Sequence, residues 1–287
     1  MTDSDKYSNN HSTSSRYPVL NLDAYSPEEV ANQVVHVGVK KVRFPTIATM
    51  MLGLLGGSFI SLGALYHIIV LASPSIDQNT AAIVSPFLYS MGYIIAFITG
   101  AEIFTTNNLA VMSLASRKIR LMELVRNWSV VLIANILGAS GVVLLFFFSG
   151  QSYLFDGQLA KETLIVSSEK LSYSVPQMFI QGLFGNMLIC AGAWLAMAGR
   201  SVTDKFIALI FPLSAVTAIG FQHTTGNMFY FFLSFLFLQD GQGEVYDITF
   251  TYFQLITSLT VVAIGNIVGG GLFIAMSYYF VYVYCKW

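Results

Sequence analysis

Two short polar clusters interrupt otherwise apolar stretches of this sequence, and they hold the side chains best suited to chemistry. One is Gly220-Phe221-Gln222-His223-Thr224-Thr225-Gly226-Asn227; the other is Gly100-Ala101-Glu102-Ile103-Phe104-Thr105-Thr106-Asn107. Each runs from a glycine through Thr-Thr to an asparagine. His223 is, tyrosines apart, the sole ionisable residue of its hydrophobic stretch, and an imidazole takes up or releases a proton near neutrality. Glu102 is the one carboxylate well inside an apolar segment, where an acid is either functional or paired. An unscreened negative charge would repel anions, so hydrogen bonds to the loop backbone are its expected partners. Thr105 and Asn227 are placed to hydrogen-bond a small solute or His223, while Thr106, Thr224 and Thr225 are suited to tying off free backbone groups.

Lys170 precedes the fourth apolar segment, where it either snorkels at an interface or concentrates anions at a pore mouth. His67, near one end of the first segment, is expected at the interface. The four histidines form no metal-ligand spacing, and neither a nucleotide loop nor a nucleophile elbow is present, so no metal, cofactor or enzymatic activity is expected.

The elements that carry these clusters must be membrane helices. Of 287 residues, 55% are hydrophobic and only 10% charged, against roughly 25% charged in soluble domains. The net charge of −1 argues against nucleic acid as a partner. Cys190 and Cys285 lie in apolar runs and form no disulfide framework.

Residues 1–25 are expected to be a disordered cytoplasmic tail. Residues 26–43 are expected to form an amphipathic helix, lying on the membrane interface in preference to acting as a mobile gate, with Ser26 as N-cap, Pro27 in the first turn and Glu28 and Glu29 following. Residues 44–287 form the transmembrane domain. Uncharged runs at 47–72, 128–149 and 175–198 each suit one crossing of about 20 residues. Longer stretches at 81–116, 206–238 and 248–285 supply three more, the first two broken by the polar clusters, for six in all. With both ends on one side, twelve lysines and arginines share that side and two, Lys161 and Lys170, occupy the other. The positive-inside rule then makes both termini cytoplasmic in a plasma (inner) membrane, with membrane lipid around the chain.

The halves are alike. Gly53-Leu54-Leu55-Gly56, Ile60 and Gly63-Ala64 recur as Gly182-Leu183-Phe184-Gly185, Ile189 and Gly192-Ala193 at a constant offset of 129. Asn135-Ile136-Leu137-Gly138 in the third crossing is answered by Asn266-Ile267-Val268-Gly269 in the sixth. Two three-helix units, about 44–150 and 172–287, follow. Three being odd, the second enters from the opposite side, so the repeats are inverted. Unwound backbone at bilayer depth is tolerated only where it is buried in protein or lines a polar cavity. The two breaks should therefore meet near the midplane and frame a path, with helix N-termini suited to an anion.

With these motifs, and with Lys118 to Trp128, Ala198-Gly199-Arg200-Ser201, Asp204-Lys205 and Gly265-Asn266-Ile267-Val268-Gly269-Gly270-Gly271, the chain resembles the formate/nitrite transporter family over residues 30–285. The resemblance implies an aquaporin-like six-helix protomer, a homopentamer with one pore per protomer, and passage of small monovalent anions or their neutral acids: formate, nitrite, lactate, acetate or hydrosulfide, together with protons. It implies that His223 is the central pore histidine, Thr105 its partner, Asn227 and Asn186 its polar surroundings, and Lys170 the outer-vestibule lysine. Ile103, Phe104, Tyr89 and Ile189 would form an outer constriction, and Tyr93 with Val216 an inner one. Gln222, Tyr93 and Val216 depart from the formate-channel pattern of glutamate, leucine and phenylalanine, which bears on pore width, polarity and substrate. Gln222 also removes any proton relay through an acid at that place. A neutral-solute pore is disfavoured because its Asn-Pro-Ala boxes are absent. The other reading is a membrane sensor or scaffold with a signalling N-terminal helix.

Overall fold

The computed structural model describes residues 23–285, so most of the expected disordered tail lies outside the described residues. All regular structure among those residues is helical. Helix α1 (Pro27–Val42) starts at a capping box in which Ser26 and Glu29 bond each other's backbone N–H groups; acids occupy its first turn and Lys40 and Lys41 its last. Both charge placements oppose the helix dipole favourably. Helices α2 (Thr46–Ala72), α3 (Gln78–Thr99), the short α4 (Val111–Ala115) and α5 (Leu121–Phe148) complete the first half. The second half holds α6 (Gln158–Ser172), α7 (Val175–Ala198), α8 (Val202–Ile219), α9 (Thr224–Gln239), the short α10 (Gln242–Tyr246) and α11 (Tyr252–Asn266). Beyond α11 the chain stays helical through a π-helical stretch, Ile267–Met276, and onward to Tyr284. Six helices among the described residues are long and apolar enough to cross a membrane: α2, α3, α5, α7, α8 and the run from Tyr252 to Tyr284.

In lipid, apolar side chains gain nothing by leaving a solvent as greasy as themselves, so small residues and polar contacts hold such helices together. The large hydrophobics Ile47, Leu145, Phe148 and Phe253 point outward, as lipid permits, while glycines and asparagines lie between helices. α1 does not lie free on a surface. Val30, Ala31, Val34 and Val35 are buried against Leu109, Met112, Ala193 and Trp194, because burying that apolar stripe in protein also seats the helix against the polar loop described next.

The feature that positions the site is a pair of matched helix ends. α3 stops at Gly100 and α8 at Gly220, both with φ near +80°, a left-handed conformation that glycine alone adopts without cost. The two loops that follow satisfy their backbones in the same way. The N–H of Glu102 donates to the carbonyl of Leu52 at 3.0 Å, and that of Gln222 to Gln181 at 3.4 Å. The N–H of Phe104 donates to Asn135 Oδ1 at 3.0 Å, and that of Thr224 to Asn266 Oδ1 at 2.9 Å. Asn135 Nδ2 donates to the carbonyls of Gly53 (2.7 Å) and Glu102 (2.9 Å); Asn266 Nδ2 donates to those of Gly182 (2.7 Å) and Gln222 (3.4 Å). Each loop presses on a glycine of the facing helix: a Cβ on Gly56 would stand 2.2 Å from the Glu102 carbonyl oxygen, and one on Gly185 would stand 2.4 Å from that of Gln222. Peptide groups left unpaired in hydrocarbon would cost several kcal/mol each, and these asparagines remove that cost.

Candidate functional site

His223 is the N-cap of α9. The backbone N–H of Gly226 donates to its Nδ1 at 3.0 Å, which aims the ring back across the helix end. Two tyrosines one turn apart on α3 meet it there. Tyr89 Oη lies 2.6 Å from Nε2 and Tyr93 Oη 3.0 Å from Nδ1, with both phenol rings edge-on to the imidazole. Tyr93 Oη also lies 3.2 Å from Thr105 Oγ1. The site therefore joins α3, α9 and the loop after Gly100. A Cβ on Gly226 would stand 2.2 Å from both His223 Cε1 and Tyr89 Oη, so only glycine lets ring and phenol come this close.

One cavity is lined by this cluster and a second by its neighbours on α3 and the loop. On the α6 side, about 260 Å³ is bounded by His67, Tyr89, Lys170, His223, Asn227 and Tyr230, among others. On the α1 side, about 420 Å³ is bounded by α1 residues including Val34, Gly38 and Lys41, with Ile103, Thr106, Asn107, Arg200 and Lys205. Tyr93, Thr105 and Val216 are buried and border neither cavity; Tyr93 lies on α3 between Tyr89, which borders the α6-side cavity, and Phe97, which borders the α1-side one. Lys170 holds its ammonium 5.6 Å from the centre of the Tyr230 ring, and burial pushes its pKa down to about 8.

The structure brings His223, Thr105, Tyr89 and Tyr93 together, Thr105 reaching the imidazole through the Tyr93 hydroxyl. Other expected contacts fall elsewhere. Glu102 is not held by loop backbone: its Oε1 pairs with Lys41 of α1 at 3.3 Å and its Oε2 accepts from Asn107 Nδ2 at 2.5 Å, because α1 carries a cation directly beneath the loop. Asn227 Nδ2 donates to Gln222 Oε1 at 2.7 Å rather than to His223, while Gln222 Nε2 donates to Gln181 Oε1 at 2.7 Å and the Lys170 carbonyl at 3.3 Å. These two amides thus brace the loop. Asn186 Nδ2 donates to the carbonyls of Thr105 and Asn266, which leaves its buried Oδ1 unpartnered.

Ile103 borders the α1-side cavity, and Phe104 borders a separate apolar one with Trp128 and Met228. These neighbouring side chains border different cavities and neither borders the α6-side one with Tyr89, although Ile103 shares a buried apolar cluster with Tyr89 and Ile189. Ile189 is packed in the core. Thr106 Oγ1 donates to the Ile103 carbonyl and Thr224 Oγ1 to Asn266 Oδ1, whereas Thr225 Oγ1 is buried without a partner.

His67 was missed as a site residue. It is buried on the α6-side cavity wall with Nδ1 3.1 Å from Tyr230 Oη and its ring edge-on to Tyr89, not at an interface. Its readable signal was a polar ring on the glycine-bearing side of its helix, four residues after Gly63.

The profile of the formate/nitrite transporter family matches residues 28–280. The chain belongs to this family. It is 32% identical over 259 residues to an uncharacterized transporter, YrhG, of Bacillus subtilis (strain 168), with 89% of this chain and 93% of that protein covered. The formate channel FocA of Escherichia coli (strain K12) is 28% identical, with 91% and 96% covered. Among solved structures, a pentameric formate channel with formate bound matches at 30% identity and a TM-score of 0.74, covering 83% of this chain and 98% of that one. An FNT family ion channel shares the fold at 22% identity and a TM-score of 0.78, covering 88% and 98%. As a formate/nitrite transporter family member with six apolar helices, the chain is a multi-pass membrane protein whose relatives are channels and transporters.

Proposed function

We propose that this family member is a pore for small monovalent anions of weak acids, formate foremost, with nitrite, lactate, acetate and hydrosulfide as further substrates. Each protomer of a homopentamer carries one pore through two inverted halves. Both termini face the cytoplasm across the inner membrane, so the α6 side faces outward. The formate-binding pentamer among its structural relatives supports this assignment of substrate and assembly. The Lys170 ammonium draws the anion into the outer cavity, and the solute then crosses the closed middle as a neutral acid or paired with a proton at His223.

The observation that carries this reading is His223 on the wall of the α6-side cavity, hydrogen-bonded to Tyr89 and to a buried Tyr93 that borders neither cavity. A bare ion passing so buried a stretch bears a desolvation cost whose idealised limit is of order 20 kcal/mol, still several kcal/mol after relaxation. Neutralisation removes most of it. Formate uptake into liposomes by wild type and His223→Asn, at pH 5.5 and 7.5, tests the role of the histidine. Lower uptake with an altered pH response is expected; unchanged and equally pH-sensitive uptake removes the ring from the mechanism.

A further inference from the structure

The hydrogen-bond directions around His223 follow from what each group is able to do. A backbone N–H only donates, so the Gly226 N–H at 3.0 Å requires a lone pair on Nδ1. The neutral ring then carries its hydrogen on Nε2 and donates it to Tyr89 Oη at 2.6 Å. Tyr93 Oη stands 3.0 Å from the same Nδ1. Were its hydrogen turned elsewhere, oxygen and nitrogen lone pairs would face each other at that distance, so the Tyr93 O–H donates to Nδ1. Its oxygen is left to accept from Thr105 Oγ1 at 3.2 Å. One directed chain results: Thr105 O–H to Tyr93, Tyr93 O–H to His223, His223 Nε2–H to Tyr89. Tyr93 is 2% exposed and borders neither cavity.

Resting on the transport reading above, we propose that Tyr93 is the specificity-determining residue of the pore, a hydroxyl plug that a solute displaces only by replacing both of its hydrogen bonds. The vacated place has a fixed polarity. His223 Nδ1 presents only its lone pair, so it admits a donor and not an acceptor, and Thr105 supplies a hydrogen to an acceptor. A protonated weak acid offers both, its O–H to Nδ1 and its carbonyl or equivalent oxygen to Thr105. An anion of a strong acid offers acceptors alone and sets an oxygen lone pair against Nδ1. Nδ1 already shares its lone pair with Gly226, so the Tyr93 bond is the one readily surrendered. Sites built around a hydroxyl reject analogues lacking one far more strongly than apolar pockets do.

The test is flux of formate and of nitrate, a strong-acid anion of similar size, into proteoliposomes containing full-length wild type, Tyr93→Phe or Thr105→Val. Tyr93→Phe keeps the ring and therefore the width of the span but removes the hydrogen-bonding requirement. The expected result is a fall of about tenfold or more in the formate-to-nitrate flux ratio, carried by faster nitrate passage; Thr105→Val, which deletes the other end of the chain, shifts the ratio the same way. A ratio within twofold of wild type in whichever variant is recovered folded overturns the role of Tyr93 while leaving formate transport standing. Absence of formate flux in wild type overturns the transport reading itself.

Discussion

Asn135→Ala and Asn266→Ala test whether the site rests on two buried amides. Asn135 makes three hydrogen bonds of 2.7–3.0 Å, to the carbonyls of Gly53 and Glu102 and from the N–H of Phe104. Asn266 mirrors it with Gly182, Gln222 and Thr224. At about 1 kcal/mol per bond, with up to about 2 kcal/mol more for the loop N–H left unpaired, either truncation costs about 3–5 kcal/mol. The void left by the lost carboxamide adds to this cost. Domains of 150–250 residues lose about 2–4 °C per kcal/mol. The lower slope, apt for this larger chain, gives an apparent melting temperature lower by about 6–10 °C in detergent at fixed scan rate. Asn135→Asp, a neutral acid when buried near pH 5, keeps the acceptor for Phe104 and one O–H donor but loses the second donor, and should fall between wild type and alanine. A shift under about 2 °C for both alanine variants would show that the loops are held by something other than these asparagines, and the account of how His223 and Thr105 are positioned would fail with it.

Two further perturbations address the site itself. Gly226→Ala drives a methyl to 2.2 Å from His223 Cε1 and Tyr89 Oη; with overpacking at about 1–3 kcal/mol and a lost cap at about 1 kcal/mol, formate flux should fall at least tenfold and melting should drop by several degrees, whereas normal flux would mean the ring is free to move aside. Lys170 has its pKa pushed down by burial to about 8, so its charge is present below that pH and lost above it. The apparent KM for formate in wild type should therefore rise between pH 7 and 9 relative to Lys170→Arg, which stays charged throughout; parallel curves would deny Lys170 a part in anion capture.

Much of the architecture was legible because the membrane leaves few options. Runs of apolar residues near the bilayer's thickness become helices, and the glycine–Thr-Thr–asparagine clusters fall where α3 and α8 end and helix resumes at Thr106 and Thr224. The matching of Asn135 with Asn266 was visible as a repeated tetrapeptide, but its purpose was not. A polar side chain in hydrocarbon must find backbone to bond, and which backbone depends on the approach of loop to helix that Gly56 and Gly185 permit. Glu102 shows the same limit from the electrostatic side. Its partner, Lys41, lies 61 residues earlier on a helix whose docking against α4 and α7 follows from the burial of Val30, Val34 and Val35.

The tyrosines mark where letters stop carrying the chemistry. A phenol expected at a constriction is read first as bulk, and Tyr89 and Tyr93 are both buried. Their spacing of four residues puts both on one face of α3, but it leaves open whether the hydroxyls end in lipid, in water or on a ring. That was decided by His223 acting as the cap of α9, since the Gly226 N–H rotates the imidazole until its two nitrogens point at successive turns of α3. An N-cap histidine is thus a local feature with a long-range outcome. The same bond that ends a helix also fixes which nitrogen accepts, and so makes two ring positions of α3 members of one directed hydrogen-bond chain that runs from Thr105 to Tyr89.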